Sequence, residues 1–101
     1  MKKFEFSKIG EYLGTRQLDA AAQKQLLPLI GGDEKVILDF TNVKVVSNSF
    51  ADECLAKLLL IMPFDELKSH TTFVGLNPLA KRNIVIVFRR RLKSLKAETV
   101  G

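Results

Sequence analysis

Lys35-Val36-Ile37-Leu38-Asp39-Phe40, followed by Ser47-Asn48-Ser49-Phe50-Ala51-Asp52-Glu53, is the stretch on which the fold turns. The first run is continuously apolar rather than alternating, which predicts a central strand over Val36–Phe40, covered on both faces or buried in a small sheet. Three small polar side chains then open an amphipathic helix over Phe50–Met62. Phe50, Cys54, Leu55, Leu58, Leu59 and Met62 share one side of it, and Asp52, Glu53 and Lys57 lie outside that face. Pro63 is expected to stop it. Unpaired backbone N–H groups and the dipole make a helix start a seat for negative charge or for docking. Ser47, Asn48 and Ser49 are therefore the first candidates for recognition or switching.

Working outward, Val43, Val45 and Val46 extend the central strand or form a short neighbour. Towards the amino end, Phe4, Phe6 and Ile9 suggest a short, loosely alternating strand. Gly14-Thr15 punctuates the chain, with Thr15 as helix N-cap. Leu18, Ala22, Leu26 and Leu29 follow at steps of about four, one apolar helix face. Pro28 is expected to end or kink that helix, and Gly31-Gly32 to complete the break.

Towards the carboxyl end, residues 71–76 are strand-like. Asn77-Pro78 then supplies an N-cap and a proline for the first turn of a final helix, about residues 78–96, carrying Leu79, Ile84, Phe88, Leu92 and Leu95. The β-branched run over 83–88 is compatible with a strand by propensity alone, but the start signal and the apolar spacing favour helix. The order strand, helix, strand, helix, strand, helix predicts an α/β fold: a small mixed sheet of about four strands with packed helices.

At 101 residues, nearly half of them apolar, the chain is expected to form one domain over residues 1–101. No apolar run reaches the roughly 18 residues of a membrane span, and the amino end lacks a signal-like apolar stretch, so a cytoplasmic location is expected. A single cysteine, Cys54, excludes an internal disulfide. His70 is the only histidine, so no metal site or nucleophilic triad can be assembled, and no cofactor is implied.

The charge is lopsided. Residues 1–80 carry nine basic and ten acidic residues, whereas residues 81–101 carry seven basic residues and one acid, Glu98. Arg89, Arg90, Arg91, Lys93 and Lys96 dominate this surplus. Such a concentration attracts nucleic acid, anionic lipid or an acidic protein, and it also suits a solvated helix end, where cations offset the dipole.

Leu38-Asp39-Phe40 and Ser47-Asn48-Ser49-Phe50-Ala51-Asp52-Glu53 together resemble the STAS-like domain family of unknown function, which is related to the anti-sigma factor antagonists and to the STAS domains of anion transporters. Gly14-Thr15-Arg16 looks like the family's Gly-x-Arg approach to its first helix. The resemblance spans roughly residues 4–92. In the antagonists, a partner with a histidine-kinase-like ATP-binding fold phosphorylates a serine at this helix start and is released by it. The matching position here is Ser49. Ser47 stands where the antagonists have an aspartate, and Phe50 where they have a glycine.

From the residues alone, Ser49 is a helix N-cap, with Ser49-x-x-Asp52 approximating a capping box. A phosphate on it would be held by the helix start but repelled by Asp52 and Glu53. Asp39 either caps the turn after its strand or contacts a partner. Arg16, poorly placed against the dipole, is a candidate to reach the Asp39 or Asp52 carboxylate. Cys54 reads as a buried small hydrophobe, and His70 as a solvated loop residue.

Three function classes follow. The first is a non-catalytic regulatory protein-binding module using Ser47, Asn48, Ser49, Asp52, Asp39 and Arg16, with the resemblance implying a histidine-kinase-like ATPase as partner and Ser49 phosphorylation as switch. The alternative is a nucleic-acid-associated regulator using Arg89, Arg90, Arg91, Lys93 and Lys96, although only Phe88 is at hand for base stacking. An enzyme with Ser49 as nucleophile lacks a recognisable base.

Overall fold

A computed structural model describes residues 1–30 and 32–100, with the side chains of Arg16 and of residues 96–100 outside the described set. The elements run β1 (Lys2–Glu5), a 3₁₀ turn (Phe6–Lys8), β2 (Tyr12–Leu13), α1 (Arg16–Ile30), β3 (Val36–Asp39) and β4 (Val45–Val46). They continue with α2 (Asn48–Phe50), a π-helical turn (Ala51–Leu55), a 3₁₀ helix (Ala56–Leu60), α3 (Phe64–His70), β5 (Thr71–Val74) and α4 (Pro78–Val100).

The α/β class holds, but the sheet differs from the expected mixed sheet of about four strands. Among the described residues there are two sheets, one of three strands in the order β1-β3-β5 and one of two, β2-β4, and each of these pairings is parallel. β3 is central, as its continuous apolar run implies: Val36 pairs with Lys2 and Thr71, and Asp39 with Glu5 and Val74. Parallel neighbours require a crossover, and α1 supplies the one between β1 and β3. Val45 and Val46 belong to the second sheet instead of prolonging β3, in register with Tyr12 and Leu13.

Phe6 and Ile9 are not strand. The chain tightens at Phe6, whose carbonyl accepts from the Ile9 amide at 3.0 Å, and the Phe6 ring turns inward to stack on Phe40 at 4.1 Å between centroids. Burying this aromatic pair outweighs one more residue of edge pairing. Thr15 caps α1, its Oγ1 accepting from the Leu18 amide at 3.2 Å. Ala22, Leu26 and Ile30 form the buried stripe, with Leu18 and Leu29 half-buried beside it. Pro28 does not end α1, which continues to Ile30. Exposed near the last turn, it forfeits little in a helix that stops two residues later.

The helix expected over Phe50–Met62 is not one regular helix. Its α, π and 3₁₀ pieces stop at Leu60, and the Ala56 amide divides itself between the carbonyls of Ala51 and Asp52. The extra residue in the π turn lets Ala51, Cys54, Leu55, Ala56, Leu58 and Leu59 all bury. This segment packs against both α1 and α4. His70 is not a loop residue but ends α3, its Nδ1 2.9 Å from the Glu66 carbonyl.

Residues 83–88 are helical, inside α4. Asn77 caps that helix as expected, its Oδ1 accepting from the Ala80 amide at 2.8 Å, and its Nδ2 also donates to the Lys44 carbonyl at 2.9 Å. Asn83 Nδ2 donates to the Val46 carbonyl at 2.8 Å. These two asparagines fasten α4 to the β4 segment, immediately before Ser47. Among the described residues no helix is long and apolar enough to cross a membrane.

Candidate functional site

The Ser47–Asp52 segment leaves β4 with the Ser47 amide bonded to the Leu13 carbonyl at 2.9 Å. The helix N-cap is Ser47 and not Ser49: Ser47 Oγ accepts from the Phe50 amide at 3.1 Å, with extended backbone at the cap. The Ser49-x-x-Asp52 capping box therefore does not form. Ser49 is exposed two residues further on, and its hydroxyl lies 3.1 Å from Ser47 Oγ. The tertiary reason is the β2–β4 pairing, which holds Ser47 as the last extended residue so that winding begins at Asn48.

Asp52 does not stand free. Arg91, on α4, donates from Nη2 to Asp52 Oδ1 at 2.8 Å and Oδ2 at 2.7 Å, and from Nε to Oδ1 at 3.2 Å. Both side chains are partly buried, 25% and 35% exposed, so water screens the pair less than a surface ion pair. Glu53 is paired with Lys57 at 2.6 Å. The two carboxylates expected to repel a phosphate on Ser49 are thus both ion-paired.

The basic helix and the serine segment, read separately from the sequence, meet at one groove of about 390 Å³. It is lined by Asn48, Ser49, Asp52, Arg90, Arg91 and Ser94, with Val87 at its base. Arg90 and Ser94 joined this site only through α4's helical spacing, since positions three to four apart share a face with Val87 and Arg91. Arg89 and Lys93 are exposed, and Arg89 opens on a different, apolar cavity. Lys96 lies outside the described side chains, so it is not assigned to either surface.

Asp39 is remote from this groove in role. Its Oδ1 accepts from the Thr41 amide at 2.9 Å and its Oδ2 lies 3.3 Å from Lys3 Nζ, so it closes the turn after β3. Hydrogen bonding from the Thr41 hydroxyl and amide, helped by Lys3, holds its carboxyl below the usual carboxylate range. In that turn Asn42 takes a positive φ of 69°. Arg16 starts α1, and the contact expected between it and Asp39 or Asp52 lies outside the described side chains. Cys54 is fully buried. Burial, with Asp19 nearby, pushes its thiol up to about 12.

Asp19 is a buried charged residue that sequence reasoning missed. It is 6% exposed, and its Oδ1 has no hydrogen-bond partner among the described residues. Burial, and then the charge of Glu53, raise its carboxyl above the usual value. The available signal was the α1 stripe itself: an acid three positions before Ala22 falls near the buried face.

Neither the curated proteins nor the solved structures contain a match to the chain. A family model does match, over residues 10–81, from before β2 into the first turn of α4. That span is narrower than the 4–92 expected; it includes Ser47–Asp52 and leaves Arg89–Arg91 outside. Covering more than half of the sequence and the whole serine segment, this match shows that the chain belongs to the family of STAS-like domains of unknown function.

Proposed function

We propose that the protein is a non-catalytic regulatory module that docks a protein partner over the groove between Ser47–Asp52 and the Arg90–Arg91 turn of α4. The observation that carries this reading is the Arg91–Asp52 pair, which makes one continuous polar surface of the exposed serine and the arginines. Family membership supports a regulatory role. Resemblance to the antagonists suggests a histidine-kinase-like ATPase as the partner class and Ser49 as the modified residue. Against a nucleophilic role, the neighbour of the Ser49 hydroxyl is another hydroxyl, Ser47, which is no general base.

A phosphoryl group on Ser49 would carry about −1.5 to −2 charges into a groove bordered by two arginines. It would compete with Asp52 for Arg91 and remodel the docking surface by attraction. The test is calorimetric binding of the full chain to a purified ATPase of that class. Wild type and Ser49→Ala should bind alike, and Ser49→Asp and Arg91→Ala should bind more weakly. Equal affinity for all four proteins removes the groove from recognition. A salt-resistant complex with DNA or RNA that is lost on Arg89→Gln and Arg90→Gln would favour the nucleic-acid alternative.

A further inference from the structure

A second cavity, of about 480 Å³, opens on a different face, between α3, β5 and α4. Its floor is core: Leu38, Leu55, Leu58 and Ile84 line it and are each no more than 4% exposed. At its mouth Phe64, Phe73 and Val85 are each more than a third exposed. The lining is almost wholly apolar, and the charged residues along it are all cationic: Lys68 from α3, and Lys81 and Arg89 from α4. None of these three is ion-paired among the described residues. The cavity lines no part of the Ser49 groove.

We propose that this cavity binds a single-chain anionic amphiphile, a fatty-acid-type carboxylate, with its alkyl chain on the leucine floor and its carboxylate at the mouth, against a cation of the rim, Lys68, Lys81 or Arg89. Two features select this occupant. The volume falls within the range of small-molecule sites, roughly 300–1,000 Å³. A partner helix 10–12 Å across, rising 5.4 Å per turn, would fill it with about one turn, too little for a docked helix but room for a flexible chain. The unpaired cationic rim supplies the second: it is complementary to an anionic head and opposed to a cationic one. The reading is independent of the proposed function, because it uses none of Ser47–Asp52, Arg90 or Arg91.

The experiment titrates the full chain with octanoate, decanoate and dodecanoate below their micellar concentrations, with dodecyltrimethylammonium as the charge-inverted control. Heat and backbone amide shifts are the readouts. Expected is saturable one-to-one binding that tightens roughly three- to fourfold per added methylene, raises the unfolding temperature, and shifts amides of α3, β5 and α4. Lys81→Glu, a surface change, should weaken dodecanoate binding about fivefold. Val85→Trp should block the mouth and abolish it while the protein stays folded. The proposal is overturned if binding does not saturate, if the cationic amphiphile binds as tightly, or if dodecanoate lowers the unfolding temperature. It is also overturned if Val85→Trp breaks a concentration-dependent dimer that dodecanoate does not disturb, which would give the cavity to a second copy of the chain.

Discussion

Arg91 and Asp52 stand 39 positions apart in sequence and meet through two guanidinium nitrogens and both carboxylate oxygens, the shortest contact being 2.7 Å. The pair ties α4 to the start of the π turn, and so joins a structural fastening to the surface proposed for docking. A double-mutant cycle with Arg91→Ala and Asp52→Ala should give a coupling of about 1 kcal/mol in urea unfolding, above most exposed pairs. A coupling indistinguishable from zero would mean that the bidentate geometry is not held in solution.

The two serines should separate cleanly. Ser47→Ala removes the oxygen that accepts from the Phe50 amide and should cost about 1 kcal/mol. Ser49→Ala removes an exposed hydroxyl and should stay within about 0.5 kcal/mol. Denaturant midpoints of the two variants, compared at constant slope, check the order, and a larger loss at Ser49 would return the cap to that residue.

Gly75 has a φ of 72°, and a Cβ there would come within 2.6 Å of the Thr41 amide nitrogen. Both the left-handed backbone and the approach of the Asp39 turn exclude a side chain. Gly75→Ala should destabilise by about 1–3 kcal/mol. A loss below about 0.5 kcal/mol would show that the loop relaxes freely.

Asp19 and Asp39 should bend the pH dependence of stability in opposite directions. Asp19 binds its proton more tightly when folded, so its contribution is most favourable below the ordinary value of 3.8 and is lost as pH rises through the raised folded value. Asp39 is depressed, so its contribution is present above 3.8 and is lost as pH falls through the lowered value. Asp19→Asn should therefore raise stability at neutral pH, and Asp39→Asn should lower it there and flatten the acid limb. Unfolding curves from pH 2.5 to 8 decide both signs.

Cys54, buried and with its thiol pushed up to about 12, should resist alkylation in the native protein at pH 8 and react fully in denaturant. Rapid native labelling would place the π turn in frequent local opening.

The sequence by itself determined what depends on near neighbours. The Val36–Asp39 strand, the Thr15 and Asn77 caps, the start of α4 at Pro78 and the buried character of Cys54 were all legible. Propensity, capping and apolar spacing act over a few residues and are printed in the local chain. Tertiary structure alone decided the rest. Two-residue strands such as Tyr12–Leu13 and Val45–Val46 are too short to alternate, and only their mutual pairing makes them a sheet. That pairing moved the cap from Ser49 to Ser47. The π turn lies where α1 and α4 both pack on Ala51–Leu55, and it buries Ala51, Cys54 and Leu55 there. The serine segment and the basic helix became one surface because Asn77 and Asn83 hold α4 against β4, which brings Arg91 to Asp52. A carboxylate meets a guanidinium across such a distance only when packing has already closed the loop between them.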